Sequence, residues 1–232
     1  MVKTKLASLD AIEVDPSGVP PRGAVVLFHG FGADNSDLAS LSGVVDAPDH
    51  IRWYFPNGPH AVQIGPHMTG RAWFPLRLAE LEQRGVDFTQ VSPEGMEKAV
   101  EQALKAVEAV RIKHKLEWNQ IVLGGFSQGA MIALEVALKA PQSPAGVTLF
   151  SSTLVNEPLL RQLLPKHQGL RFFQSHGQND AMLPFELAER LDMLLNEAGM
   201  NGMLYAFRGG HEIPMAVLRE WSSWLREFAF WK

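Results

Sequence analysis

The chain has 232 residues, of which 46% are hydrophobic and 20% are charged, and its formal net charge is -4. This composition is typical of a globular protein with one sizeable core, and the charge balance argues against nucleic acid or an anionic membrane as a partner. The absence of cysteine excludes disulfides, Cys-ligated metals and a thiol nucleophile, so covalent catalysis would have to use Ser, Thr, Lys or a carboxylate.

The first residues and the apolar runs bear on localisation. Residues 1–9 contain lysines without an apolar run behind them, which predicts that there is no signal peptide. No segment approaches the ~18 uninterrupted apolar residues of a spanning helix, so we expect no integral membrane association. The default expectation is a cytoplasmic protein.

Strand patterns and helix patterns alternate along the chain. Strands are predicted at 5–14, 24–28, 51–55, 121–124, 146–150, 170–174 and 203–207. Helices are predicted at 36–44, 92–115, 130–138, 158–164, 185–198 and 213–231. Residues 60–77 show no period, and we predict that they form an irregular loop of the length that tends to be functional.

This alternation predicts an α/β fold with a mostly parallel central sheet covered by helices on both faces. No internal repeat, low-complexity tract or linker interrupts it, so a single domain over residues 1–232 is expected. The last predicted helix carries an aromatic stripe that we assign to core packing, and it consists of Val217, Trp221, Trp224, Leu225, Phe228 and Trp231. Near the end, Phe230 and Trp231 either form a homodimer contact or fold back onto the sheet.

The segment Gly125-Phe126-Ser127-Gln128-Gly129 lies between a predicted strand and a predicted helix. It is a G-x-S-x-G motif in the context that a nucleophile elbow requires. The turn is so tight that the residues two before and two after the serine must lack a side chain. Ser127 is therefore the candidate nucleophile, although glycine and serine are also common in ordinary turns.

The carboxyl ends of parallel strands meet at one edge of a sheet, and active residues gather there. Asp180 and His211 each follow a predicted strand, so that Ser, Asp and His occur in the α/β-hydrolase order. His211 would accept the proton of Ser127, and Asp180 would hold its ring and stabilise the imidazolium. The backbone N–H groups of Phe31 and Gln128 would bind the oxyanion.

Each of these residues also has an ordinary structural explanation. Asp180 could be a turn acid and His211 a helix cap. His29 and His176 each precede a glycine, and we expect them to hydrogen-bond loop backbone, because no metal-ligand spacing accompanies them. Ser151 and Ser152 end a strand without flanking glycines and are weak rivals of Ser127.

With these residues in place, the chain resembles the phospholipase/carboxylesterase family, to which acyl-protein thioesterases belong, and especially its short bacterial members. The segments that carry the resemblance are Leu27-Phe28-His29-Gly30-Phe31-Gly32-Ala33-Asp34, Phe55-Pro56-Asn57-Gly58, Gly70-Arg71-Ala72-Trp73-Phe74, Gly125-Phe126-Ser127-Gln128-Gly129-Ala130, His176-Gly177-Gln178-Asn179-Asp180 and Gly210-His211. The resemblance implies an α/β-hydrolase fold without a large cap domain, the same triad and oxyanion donors, and no cofactor or metal.

The expected function is that of a serine carboxylesterase acting on carboxylic esters or thioesters of small to medium acyl chains. An acyl-protein thioesterase or lysophospholipase activity is the alternative. A peptidase or lipase, or a non-catalytic binding scaffold, is less favoured. For the acyl chain we predict an apolar groove, with simple packing of the loop as the alternative, and its residues would be Met68, Trp73, Phe74, Leu76, Met182 and Leu183.

Overall fold

The computed structural model describes residues 1–16, 18–75 and 88–232. An eight-stranded sheet forms its centre, and its strands are β1 (Val2–Leu6), β2 (Leu9–Val14), β3 (Gly23–Phe28), β4 (Ile51–Pro56), β7 (Ile121–Phe126), β8 (Gly146–Phe150), β9 (Arg171–Gly177) and β10 (Asn201–Phe207). A separate two-stranded sheet consists of β5 (His60–Gly65) and β6 (Met68–Ala72).

The order of the strands in the large sheet is β1-β2-β4-β3-β7-β8-β9-β10. Strand β2 runs antiparallel to both of its neighbours, β1 and β4. The other strands of this sheet run parallel to one another, and they are β4, β3, β7, β8, β9 and β10. The carboxyl ends of β3, β7, β9 and β10 therefore lie at the same edge. The loops that follow these strands carry the candidate site residues.

Helices cover both faces of the sheet. They are α1 (Leu41–Val44), α2 (Met96–His114), α3 (Gln128–Lys139), α4 (Glu157–Leu163), α5 (Phe185–Glu197) and α6 (Met215–Leu225). Short 3-10 helices lie at Leu38–Ser40, Trp118–Gln120, Leu164–Lys166 and Ala229–Trp231.

Side chains of β3 alternate between the two faces, as the period of a strand requires. Val26 and Phe28 pack with residues of α2 to α5, while Val25 and Leu27 pack with α1 and α6. Every residue of β3 is buried, which explains its uninterrupted apolar sequence. The prediction of an α/β-hydrolase fold with a mostly parallel, doubly covered sheet is confirmed, and the described residues contain no separate cap domain.

Three elements in the first half of the chain differ from the predictions, and the last helix is a fourth. The segment 5–14 belongs to a hairpin of two strands rather than one edge strand. Residues 60–72 form the β5–β6 hairpin rather than an irregular loop. Helix α2 begins at Met96 and not at Ser92, because Gly95 has φ of 80° and the Ser92 hydroxyl contacts Asn156 at the start of α4.

The last helix, α6, ends at Leu225, so the chain turns before its final aromatic residues. Phe230 and Trp231 fold back into the core, with 8% and 4% of their surfaces exposed. The aromatic stripe is thus core packing as predicted, and these two side chains follow the predicted alternative in which they fold back. The homodimer and the single domain over residues 1–232 stay predictions. None of the helices in the described residues is long and apolar enough to cross a bilayer.

Candidate active site

Ser127 lies between β7 and α3 in a strained backbone conformation, with φ of 53° and ψ of -118°. The flanking glycines are sterically required. A Cβ atom on Gly125 would lie 2.4 Å from the backbone of Gly129, and one on Gly129 would lie 2.0 Å from the carbonyl oxygen of Phe28. The spacing of the motif thus has the physical origin that the sequence suggests.

Asp180 and His211 are brought together from two different loops. His211 Nδ1 lies 2.6 Å from Asp180 Oδ2, and the Asp180 side chain has no exposed surface. The other oxygen, Oδ1, accepts hydrogen bonds from the backbone N–H groups of Met182 at 2.8 Å and Leu183 at 2.9 Å. Burial acts to raise the pKa of Asp180, but these hydrogen bonds and the one from His211 outweigh it and hold the pKa below its ordinary value.

The two loops are joined to each other by their backbones. The N–H of Gln178 donates to the carbonyl of Phe207, and the N–H of Asn179 donates to the carbonyl of Gly209, at 2.9 and 3.0 Å. Gly177 faces Gly209 and Gly210 so closely that a Cβ atom would lie 2.2 Å from a carbonyl oxygen. Glycine at this position therefore allows the acid loop and the base loop to pack together.

The ring of His211 also contacts the nucleophile elbow. Its centroid lies 4.8 Å from that of Phe126, the residue directly before Ser127. The loops after β7, β9 and β10 therefore place the candidate nucleophile, acid and base in one region. These residues were predicted to meet there because each follows a parallel strand.

Phe31 lies on the loop after β3 and lines the same cleft as Ser127 and Gln128. A Cβ atom on Gly30 would lie 3.5 Å from the Ser127 Cβ, which shows how closely this loop approaches the elbow. The N–H of Gly32 donates to the carbonyl of Arg71 in β6 at 2.8 Å, so the hairpin supports the loop from outside.

His29 is buried and hydrogen-bonds the backbone on both sides of its ring, which holds this loop in place. Its Nδ1 lies 2.7 Å from the carbonyl oxygen of Gly30, and its Nε2 lies 2.9 Å from the backbone nitrogen of Gly58. The carbonyl can only accept and the N–H can only donate, so the ring carries its proton on Nδ1. Burial lowers the pKa of His29, which keeps the ring neutral. The expectation that His29 bonds to loop backbone is confirmed.

Gln128 contributes a fully buried side chain in addition to its backbone. The side-chain Oε1 accepts from the N–H of Trp73, and Nε2 donates to the carbonyl of Phe74, both at 2.9 Å. The residue after the candidate nucleophile thereby fixes the segment that follows β6. The sequence contains no periodic signal for this contact, because it joins a side chain to the backbone of a distant segment.

A mostly apolar cleft opens beside Ser127 and encloses about 610 Å³, including space open to solvent. Its apolar lining includes Phe31, Phe74, Phe88, Met131, Val155 and Leu183. Met131 lies four residues after Ser127 on α3, so helical spacing alone could have identified it. Phe88 and Val155 come from separate segments, and no local pattern marks them.

The predicted groove residues divide into three groups. Phe74, Met182 and Leu183 line the cleft as predicted. Trp73 does not: it is fully buried behind the cleft, where its Nε1 donates to the carbonyl of His29 at 2.9 Å. Met68 is 63% exposed on the hairpin and is not among the described residues that line the cleft. Leu76 lies outside the described residues.

The rival serines and the residues that could bind a metal are described by their positions in the fold. Ser151 and Ser152 are fully buried, and neither is among the described residues lining the cleft. In the described parts of the chain, no group of three or more His, Asp or Glu side chains is placed to hold a metal ion.

Comparison with known proteins identifies the family. A family model described as Phospholipase/Carboxylesterase matches residues 9–228. The chain belongs to this phospholipase/carboxylesterase family. An acyl-protein thioesterase 1 from Mycosarcoma maydis is 30% identical over 229 residues, which cover 93% of this chain and 93% of the relative.

Solved structures agree with this family assignment. The crystal structure of esterase PE8 has a TM-score of 0.82 at 27% identity and covers 95% of this chain and 99% of that chain. The carboxylesterase from Bacillus cereus has a TM-score of 0.70 at 20% identity, covers 94% of this chain and 93% of that chain, and shares the fold. As a member of the phospholipase/carboxylesterase family, the chain is a hydrolase of the serine esterase type, as predicted.

Proposed function

We propose that Ser127, His211 and Asp180 form a catalytic triad that hydrolyses carboxylic esters or thioesters of small to medium acyl chains. The observation that carries the proposal is the 2.6 Å contact between His211 and Asp180 beside the strained elbow of Ser127. The relatives named above include esterases and an acyl-protein thioesterase, which supports both classes of substrate.

The proposed reaction has two halves. His211 takes the proton of the Ser127 hydroxyl as its oxygen attacks the acyl carbon, and then gives that proton to the leaving alcohol or thiol. Water, activated by the same imidazole, cleaves the acyl-enzyme and restores the serine. In both halves the backbone N–H groups of Phe31 and Gln128 donate to the oxyanion, at the positive end of α3.

The shape of the cleft supports an acyl substrate. Its lining is mostly apolar, and a smaller recess, whose volume of about 230 Å³ includes space open to solvent, shares Met131 and Val155 with it and extends to Leu160. An unbranched acyl chain fits such surroundings, because its burial is favourable and it requires no polar partner.

The triad is tested by replacing the nucleophile. We expect Ser127→Ala to lower kcat by roughly 10⁴–10⁶ while the protein keeps its circular dichroism spectrum and melting temperature. A fluorophosphonate probe should label the wild type and the Ser152→Ala control, but not Ser127→Ala. Retained activity or labelling in a clean Ser127→Ala preparation would contradict the proposal, and failure to label the wild type would favour a binding scaffold.

The acyl assignment is tested with p-nitrophenyl esters and matching thioesters from acetyl to longer chains. Val155→Phe should lower kcat/KM for the longer chains and spare the acetyl substrate, because the added ring fills the cleft beyond Ser127. Met193→Ala, an exposed position on α5, serves as the control. An unchanged chain-length preference in Val155→Phe would remove this assignment.

Three finer predictions remain proposals. Lysophospholipid hydrolysis belongs in the same substrate panel, because it also cleaves an acyl ester. A homodimer is tested by analytical ultracentrifugation. A cytoplasmic location is tested by fractionation of the source cells.

A further inference from the structure

His176 is a fully buried histidine at the end of β9, four residues before Asp180. Its Nε2 lies 2.9 Å from the carbonyl oxygen of Leu183 and 3.2 Å from Asp180 Oδ2. Both of these oxygens can only accept, so Nε2 carries a hydrogen. The proposed catalysis makes no use of this ring.

The contacts around Asp180 form a closed arrangement. The N–H of Leu183 donates to Asp180 Oδ1, and the carbonyl of the same residue accepts from His176. Asp180 Oδ2 lies between the rings of His176 and His211. The carboxylate is therefore contacted at both oxygens, and the hydrogen bond of the His176 N–H goes to the carbonyl of Leu183, the residue whose N–H binds Oδ1.

A role in packing alone does not explain this residue. Burying an imidazole is costly, and the Nδ1 atom of His176 is buried without a hydrogen-bond partner in the described structure. The ring packs 6.1 Å from that of Phe185 on α5, and the paired residue on β10 is Ala206, so an apolar side chain would suit those neighbours. Histidine differs from an apolar residue at this position because its Nε2 contacts both Asp180 Oδ2 and the Leu183 carbonyl.

We propose that His176 is a positioning residue for the Asp180 carboxylate, an inference that rests on the proposed triad. Its N–H fixes the carbonyl of Leu183, whose own N–H holds Oδ1, and this leaves Oδ2 directed at His211. The same N–H offsets part of the negative charge that Asp180 presents to His211. Orientation and charge of the acid are thus both set by a histidine that never touches the substrate.

The surroundings of His211 make the charge effect measurable. His211 faces Asp180 from the loop after β9 and Phe126 from β7, and Glu212 is the adjacent charged residue on its own loop. Removing the His176 N–H would let the carboxylate stabilise the His211 imidazolium more strongly. The acid limb of the kcat/KM profile should then move to higher pH, because His211 must be neutral to act as a base.

The experiment compares His176→Leu with His176→Gln in the full chain. We expect His176→Leu to lower kcat about 10- to 100-fold with little change in KM, and to shift the acid limb upward. His176→Gln, whose amide N–H can reach the Leu183 carbonyl, should recover most of the activity. His176→Asn is polar but shorter, so it should show the same loss of kcat and the same shift of the acid limb as we expect for His176→Leu. It takes the place of His176→Leu in the test if the leucine variant fails to fold.

A double-mutant cycle separates positioning from stability. In the Asp180→Asn background, His176→Leu should have little further effect on kcat, because the carboxylate it acts through is gone. A folded His176→Leu variant with wild-type kcat and pH profile would overturn the inference and leave the triad standing. Equal losses in both backgrounds would also overturn it. Full activity of Asp180→Asn alone would instead reject the proposed triad.

Discussion

The side-chain oxygen of Gln128 lies 2.9 Å from the backbone nitrogen of Trp73. Its amide nitrogen bonds with equal length to the carbonyl of Phe74, which lines the cleft. The residue next to the proposed nucleophile therefore also holds one wall of the cleft in place. Gln128 connects the geometry of the Ser127 turn with that of the cleft.

Replacing Gln128 by Met keeps the length of the side chain but removes both hydrogen bonds. The buried N–H of Trp73 and carbonyl of Phe74 would lose their partners, so we expect the free energy of unfolding to fall by about 2–4 kcal/mol. Urea denaturation measures this change, with exposed Gln142→Met as the control. A loss of less than about 0.5 kcal/mol would show that the bonds do not stabilise the segment.

The glycine after the elbow should tolerate no side chain. In Gly129→Ala the new methyl would meet the Phe28 carbonyl at 2.0 Å, so we expect a loss of more than about 3 kcal/mol in stability and of most activity. Gly43→Ala on α1 is the matched control, because a Cβ atom there has no neighbour within 4 Å. That variant should gain up to about 1 kcal/mol by helix propensity. Similar melting temperatures for the two variants would contradict the steric argument.

His29 should make stability depend on pH. Its folded-state pKa lies below that of the unfolded chain, so the unfolded state takes up a proton first as the pH falls. The contribution of His29 is present above about pH 6.5 and is lost progressively toward the lower folded pKa. His29→Gln should flatten the slope of the unfolding free energy between pH 7.5 and 5.

The matched control for this slope is His60→Gln, because His60 is exposed on β5. Denaturant titrations at several pH values provide the measurement. If His29→Gln and wild type show the same slope, protonation of His29 is not coupled to folding.

Asp180→Asn should lower kcat by about 10⁴ without unfolding the protein, because the amide oxygen can still accept from Met182 and Leu183 while the charge is lost. The pKa of Asp180 lies below its ordinary value, so the carboxylate stays ionised throughout the range in which imidazoles titrate. Loss of wild-type activity on mild acidification should therefore follow protonation of a single group other than Asp180. Steady-state kinetics between pH 5 and 8 would test this, and a second acidic step in that range would contradict it.

The sheet and the three candidate catalytic residues were predictable because both follow strong local patterns. Strands buried on both faces carry apolar runs such as that of β3, and the residues after them must meet at one edge. The glycines around Ser127 are required because the turn leaves no space for a side chain, and this requirement can be inferred from the sequence alone.

The β5–β6 hairpin was missed because its contacts are made by backbone rather than by an apolar face. Arg71 exchanges hydrogen bonds with Gly32 and Ala33, and a Cβ atom on Gly70 would lie 1.9 Å from the Gly32 carbonyl. Most of the hairpin side chains are exposed, so they carry no hydrophobic period. Trp73 was assigned to the groove for a related reason: sequence marks it as apolar but does not show which way its ring turns.

The backbone bonds between the Gln178–Asn179 and Phe207–Gly209 segments join the loop of the proposed acid to the loop of the proposed base. The walls of the cleft come largely from other segments, including Phe74, Phe88, Met131 and Val155. Substitutions can therefore change the walls and leave the proposed pair of acid and base undisturbed. A chain of this kind is a suitable starting point for directed changes of substrate range, provided that the contact between Gln128 and the Trp73–Phe74 backbone is retained.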